Sequence, residues 1–567
     1  MGDDRGGNKK TAIIAVSSIL LVAMVVAVVV GMSDPIDESS ARVDDGASTS
    51  HASTTKKAVK AICAPVKYKK TCKETLAKAN TTEPRDLIRI GFGAAQKHLT
   101  AALKRSTALH EMEKDPETAK ALKVCNEVLD LAVDDLQSAF DKMGRFELAK
   151  VDDYLDDIQT WLSGAVTYRV TCLDAFDNAT SSAKKTMEKA LRTAAEINTN
   201  ALAMVNKIQK LVRSLGFSRK SGRRLLGASD EIPSWVDPGM RKLLDTSLTG
   251  PAKLADFVVA KDGSGNYTSL MDAMHHIPVR FDNSTVLIYV KEGVYAEKVL
   301  IPKNQTHLIL IGDGPDKTIF TGSLNFVDGT KTMHTATFTA LGSNFMAVNM
   351  GFENTAGPTK EQAVALRVGA DLSIFHNCSI LGYQDTLYAH AHRQFYSDCT
   401  ISGTIDFIFG NAAAVFQNCR LFIRKPLPNQ QNMITAHGRT EPGLRTALVI
   451  QNCTISGEPD YIPVKDVNKA YLGRPWKAYA RALVVDSQID DVIDKAGWAV
   501  WPGHEYDKTC WFAEFENRGL GADVAGRATW PGIKKVDAAE VAELLPENFI
   551  HADYWIEQSG IPFIRKT

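Results

Sequence analysis

A six-residue fragment recurs four times in the C-terminal half of the chain. It appears as Phe375–Ile380 (FHNCSI), Tyr396–Ile401 (YSDCTI), Phe416–Leu421 (FQNCRL) and Ile450–Ile455 (IQNCTI), with successive cysteines 21, 20 and 34 residues apart. Around the fragments run short β-rich stretches such as Val286–Val290, Leu308–Ile311 and Ala447–Ile450, separated by Gly, Asn and Asp. A period of ~20 residues built of short strands buries the same positions turn after turn when the turns stack. The period therefore predicts a right-handed parallel β-helix over 251–556. The 34-residue step predicts a coil with an inserted loop around Lys425–Met433. A sandwich or propeller would not place equivalent residues one coil apart.

The same register brings two carboxylates together. Asp385 follows Cys378 by seven residues and Asp406 follows Cys399 by seven, so the two hold one position on consecutive coils. Adjacent strands lie ~4.8 Å apart. Two carboxylates at that separation do not both ionise cheaply, so one keeps its proton near neutral pH. An ionised nucleophile beside a protonated acid is what acyl or glycosyl chemistry requires. Spacing alone also allows two ordinary turn aspartates, each bonded to local amides. Cys399 and Cys419, one coil apart, have a Cα spacing suited to a disulfide. Cys378 and Cys453 flank them as candidate buried thiols, and Cys510 has no assigned partner.

The N-terminal half is of another kind. Arg5, Lys9 and Lys10 precede an uncharged run from Thr11 to Met32. That run is long enough to cross a bilayer, and the charges on either side favour a cytosolic N-terminus. Residues 1–32 are expected to form a signal-anchor, with a cleaved signal peptide as the rival, and both deliver the rest to the secretory lumen. Residues 33–60, rich in Ser, Thr, Ala and Asp, read as a flexible stalk. From 61 to 216 apolar residues recur at three- and four-residue steps. One stripe is Met187, Leu191, Ala194, Ala201, Val205, Ile208 and Val212; another is Leu155, Ile158, Leu162, Ala165 and Leu173. This predicts an antiparallel helical bundle. Its four cysteines allow three connectivities; the short Cys63–Cys72 loop reads as a clip, leaving Cys125 with Cys172. In an oxidising lumen such cysteines favour disulfides over metal sites, and no CxxC or HxxxH cluster occurs. Between 217 and 250 the periodicity stops, and Arg223-Arg224-Leu225-Leu226 and Arg241-Lys242-Leu243-Leu244 offer exposed cutting sites. Seven N-x-S/T sequons, at Asn80, Asn178, Asn266, Asn283, Asn304, Asn377 and Asn452, permit glycans. The 66 basic residues balance 66 acidic ones, which gives no case for a nucleic-acid partner.

Five segments stand in order along the C-terminal half: Gly293–Glu297 (GVYAE), Gln362–Arg367 (QAVALR), Tyr383–Tyr388 (YQDTLY), Asp406–Gly410 (DFIFG) and Leu472–Trp476 (LGRPW). Together they resemble the signature segments of plant-type pectin methylesterases. The bundle resembles the pectin methylesterase inhibitor domain, a four-helix bundle with the Cys63–Cys72 and Cys125–Cys172 pairing. The joint is similar to the processing motifs of such precursors, which implies a subtilisin-like processing protease. The resemblance implies hydrolysis of C6 methyl esters on cell-wall homogalacturonan, without metal or cofactor. It makes Asp406 the nucleophile, Asp385 the proton donor and then acceptor, and Gln362 and Gln384 the oxyanion donors. A buried glutamine ladder is the plainer reading of those two. Arg474 would orient Asp406 and keep it ionised, Trp476 would offer a face to a sugar ring, and Thr332 would touch substrate. Tyr388 lines the cleft or is plain core. The resemblance also supports the Cys399–Cys419 pair. It implies a precursor anchored in the secretory pathway, an enzyme delivered to the cell wall, and a bundle that covers its own or another enzyme until cleavage.

Two other readings compete. A β-helix lyase or polygalacturonase would want clustered acids for calcium, or further aspartates with a histidine, and Ala436–Arg439 (AHGR) is the only near match. Alternatively the chain acts as an inhibitor or wall-binding protein through its helical half, beside an inert β-helix.

Overall fold

The computed structural model describes residues 47–144, 151–177, 179, 181–214, 254–278, 280 and 282–565. The apolar run 11–32 and both dibasic motifs lie outside the described residues. Among the described residues no helix is long and apolar enough to cross a membrane. The chain forms two compact units, which part within 215–253.

The first unit contains α1 (Ala47–Ile62), α2 (Lys69–Leu76), α3 (Pro84–Met112), α4 (Pro116–Gly144), α5 (Val151–Asp174) and α6 (Ser181–Ser214). The four long helices close a ring: α3 packs on α4 and α6, and α5 packs on the same two. Prolines open α3 and α4, where a missing N–H costs nothing. Asp115 caps α4 through the Thr118 amide, at 3.0 Å. Met187, Leu191, Ala194, Ala201, Val205 and Val212 of the predicted stripe are buried, while Ile208 is half-buried. Both predicted disulfides are present, Cys63–Cys72 and Cys125–Cys172. The expected stalk needs correction over 47–60, which is helical as part of α1. Its small side chains bury little by themselves, but Thr55 and Val59 are covered, because α1 packs against α2 and α3. Composition shows a segment's own apolar content, not the surface its neighbours lend it.

The second unit is a right-handed parallel β-helix. Its strands form three parallel sheets of 11, 7 and 8 strands. Each complete coil contributes one strand to each sheet, the ends of the stack adding strands mainly to the eleven-stranded sheet, and the recurring fragment marks the corner between the eleven- and eight-stranded sheets. Asn349, Asn377, Asp398, Asn418, Asn452 and Asp486 hold that corner on successive coils, all with φ between 51° and 57° except Asn377 at 49°. Asn and Asp are the non-glycine residues that best tolerate this left-handed conformation. The corner thus explains why each fragment carries one of them before its cysteine.

Inside, like stacks on like. Phe375, Tyr396 and Phe416 lie ring on ring, 5.1 Å and 4.6 Å apart. Cys378, Cys399, Cys419 and Cys453 form a second column, all of them buried free thiols. The expected Cys399–Cys419 disulfide is therefore not formed in the structure. Stacked side chains keep the ~4.8 Å strand spacing, whereas a disulfide needs Cβ atoms near 3.8 Å apart. Each thiol instead donates to backbone carbonyls, as Cys399 does to Ser397 at 3.3 Å and Cys419 to Gln417 at 3.3 Å. The extra length of the 34-residue coil falls in two turns, the expected one and another. Besides 424–431 before the strand Asn432–His437, a second long turn occupies 438–446.

Candidate active site

The seven-stranded sheet carries the site. Its strands Leu387–Ala389 and Ile408–Gly410 pair with Leu387 opposite Ile408. Asp385 and Asp406 each sit two residues before those strands, so they too are opposite one another. Both have left-handed backbones, φ 62° and 51°, and both are buried. The turns that carry them are packed closely: a Cβ on Gly403 would lie 2.7 Å from the Tyr383 carbonyl oxygen, so only glycine lets the second turn seat on the first.

Two strands beyond Ile408–Gly410 in the sheet order, Arg474 ends the strand Ala470–Arg474. Its guanidinium forks onto Asp406, Nε to Oδ1 at 2.8 Å and Nη2 to Oδ2 at 2.7 Å. This bidentate geometry suits a carboxylate. The guanidinium also stacks 4.4 Å from the Trp501 ring centroid. Asp385 has no such partner. Burial pushes its carboxyl well above the ordinary carboxylate range, the Asp406 charge adds to this, and Arg474 offsets part. Burial also raises Asp406, but there the Arg474 charge and fork work against it. The Arg474 charge and fork therefore make Asp406 the more readily ionised of the two.

Gln384 precedes Asp385, and its carbonyl accepts from the Ala363 amide at 3.2 Å, which brings Gln362 onto the neighbouring coil. A glutamine ladder does exist in this unit, but elsewhere: Gln417 donates to Gln451 at 2.7 Å in the eleven-stranded sheet. The Gln362 side-chain oxygen is buried without a hydrogen-bond partner among the described residues. Its amide is thus not consumed by a ladder. Thr332 opens the short helix Thr332–Thr335, and Thr335 accepts from the Val364 amide at 3.0 Å, two residues from Gln362. Tyr388 stacks on Phe409 at 4.3 Å, and Phe409 meets Trp476 edge-on at 6.0 Å. Trp476 is half-buried and lies against Gly438.

The β-helix lies where family comparison places it. Residues 256–553 match the profile described as pectinesterase, and residues 57–204 match plant invertase/pectin methylesterase inhibitor. The chain belongs to the pectinesterase family. Two Arabidopsis thaliana relatives, putative pectinesterase/pectinesterase inhibitor 28 and probable pectinesterase/pectinesterase inhibitor 21, are each 45% identical over 99% of this chain and are covered over 75% and 83% of their own length. The solved pectin methylesterase from carrot is 43% identical, covers 57% of this chain and all of its own, with a TM-score of 0.55.

In this pectinesterase the first of the five signature segments lies away from the aspartates. Tyr295 is core, and Glu297 accepts from the Leu270 and Met271 amides at 3.3 Å and 3.2 Å, so it caps the helix Leu270–His276. Sequence reading missed Phe409 and Trp501. Phe409 could have been found, since alternation along 408–410 turns it outward when Ile408 is inside. Trp501 ends a short Trp-rich stretch, 498–501, whose signal is its aromatic content.

Proposed function

We propose that this pectinesterase hydrolyses C6 methyl esters of homogalacturonan through an aspartyl acyl-enzyme. The observation that carries the reading is the pair of buried, opposed carboxylates of which only Asp406 is forked by an arginine. Asp406 attacks the ester carbonyl carbon, and the oxygen that gains charge is met by the Gln362 and Gln384 amide donors. As the carbon–methoxy bond breaks, Asp385 delivers its proton to the departing oxygen, and methanol leaves. Water then attacks the resulting anhydride and gives a proton to Asp385, while Asp406 departs as carboxylate and the sugar carries a free carboxyl group. Arg474 orients Asp406 throughout, Trp476 offers its ring to a sugar, and Thr332 touches substrate.

Every step uses side chains of this chain alone. Residues 251–565 are expected to release methanol from methylated pectin without shortening the polymer, at a rate unchanged by chelator. A shortened polymer, or activity lost in chelator and restored by calcium, would move the assignment to a lyase.

The remaining segments read as a precursor: anchor 1–32, stalk 33–46, inhibitor-type bundle to 216, joint 217–250 and catalytic β-helix 251–556. An inhibitor domain tethered by a short flexible joint acts at an effective concentration on the order of millimolar. Even a weak contact then holds the enzyme silent during transit to the wall, and cutting by a subtilisin-like protease ends that advantage. The mature wall enzyme is expected to begin near Asp245, after the second dibasic motif. N-terminal sequencing of wall-extracted protein checks this; a mature chain still containing Cys63–Cys172 would refute it.

A further inference from the structure

The turn 424–431, one of the two that lengthen the 34-residue coil, begins at a residue that reaches both aspartate turns. The Arg424 amide donates to the Gly403 carbonyl at 2.8 Å, on the coil of Asp406. Its Nη1 donates to the Gly382 carbonyl at 2.9 Å, one coil further, where the chain enters Tyr383-Gln384-Asp385. Its guanidinium lies 4.5 Å from the Tyr383 ring centroid. On the other side Nε donates to Glu458 Oε2 at 3.1 Å, and Ser402 Oγ donates to Glu458 Oε1 at 2.5 Å. The strand that follows the turn, Asn432–His437, completes the hold. Met433 donates to the Thr404 carbonyl at 3.2 Å and accepts from the Phe407 amide at 3.2 Å, bracketing Asp406.

We propose that Arg424, fixed by Glu458, is a positioning residue that sets the separation and burial of Asp385 and Asp406. It touches neither carboxylate. It ties together the backbone on which both stand, across three coils, and a misplacement of about 1 Å at such a pair costs on the order of a hundredfold in rate. The inference rests on those aspartates being the reacting pair. The charged groups facing Asp385 are Asp406 and Arg474; Arg424 faces the charge of Glu458 and the π-face of the Tyr383 ring. Loosening the Gly382–Asp385 turn lets water reach Asp385, which weakens its hold on the proton.

The test uses the full-length gene expressed in plant cells and enzyme extracted from the wall. R424Q is expected to lower kcat by about 10- to 100-fold with KM within about twofold, and to move the alkaline limb of the pH–rate profile to lower pH. R424K, which keeps the charge and one donor, recovers part of both. E458Q shows the same changes in smaller degree and decides the matter if R424Q does not accumulate. Wild-type kcat and pH limbs in a folded R424Q would overturn the proposal. So would a kcat loss with unmoved limbs, which marks plain structural damage, or a KM rise alone, which places Arg424 on the substrate. D406N is run beside them: if it remains active the aspartate assignment fails, whereas an inactive D406N with a wild-type R424Q rejects only the brace.

Discussion

Replacing Asp406 by asparagine is expected to lower methanol release by about 10⁴-fold or more, because the amide oxygen cannot form the acyl-enzyme. Asparagine is the informative substitution here. It is nearly isosteric, and it accepts the left-handed φ of 51° that alanine or glutamate would strain. The fork suffers, since the amide oxygen accepts from one arm of Arg474 while the amide nitrogen faces the other. That mismatch costs ~1–3 kcal/mol of stability, set by a buried guanidinium left without its charge partner. A melting curve beside the assay separates the two effects. A variant that stays folded and releases methanol at a near-normal rate would end the assignment of Asp406.

Asparagine at Asp385 should cost about 10²- to 10⁴-fold, the range for loss of a positioned acid, and it should also leave a mark on stability. The folded pKa of Asp385 lies above its unfolded value, so the native state binds this proton more tightly than the unfolded chain does. Stability from that proton is complete below the ordinary carboxyl range and is lost as pH rises through the folded pKa. On the proposed mechanism wild-type activity is expected to fall over an alkaline limb for the same reason, because the departing methoxide then finds no acid. The asparagine variant has nothing to ionise. Its Tm relative to wild type should therefore improve as pH rises, and the advantage should shrink on acidification. Melting curves for both proteins at a series of pH values test this; a gap constant with pH would mean that Asp385 is not held protonated by the fold.

What was readable in the sequence followed the period. A step of 20 or 21 residues fixed the stacking, and with it the opposition of Asp385 and Asp406, because in a parallel stack sequence offset converts directly into spatial neighbourhood. The helical stripes worked for the same reason over shorter range. The failures lie where geometry depends on something finer than period. Equal offset makes Cys399 and Cys419 neighbours but does not bring their side chains close enough to bond. Residues 47–60 looked too polar to fold, since the apolar surface they lie on belongs to other helices. Arg424 was hidden because its reach runs sideways across three coils, through backbone carbonyls that leave no residue type to recognise. Gln362 differs from the glutamine ladder of Gln417 with Gln451 in that its side-chain oxygen is buried without a partner among the described residues, a feature no residue type announces.

The asparagine corners carry a cost for the secretory cell. Asn377 Nδ2 donates to Asn349 at 2.7 Å and Asn452 Nδ2 donates to Asn418 at 2.8 Å, each bond running from one coil to the previous corner. Both donors also head N-x-S/T sequons. Glycosylation leaves such a nitrogen a single N–H, so the bridge and an oligosaccharide coexist only if that hydrogen points at the previous corner and the sugar at solvent. At these two sites folding and glycosylation share one atom, so a sugar attached early, before the coils close, would fix which hydrogen is left to form the rung.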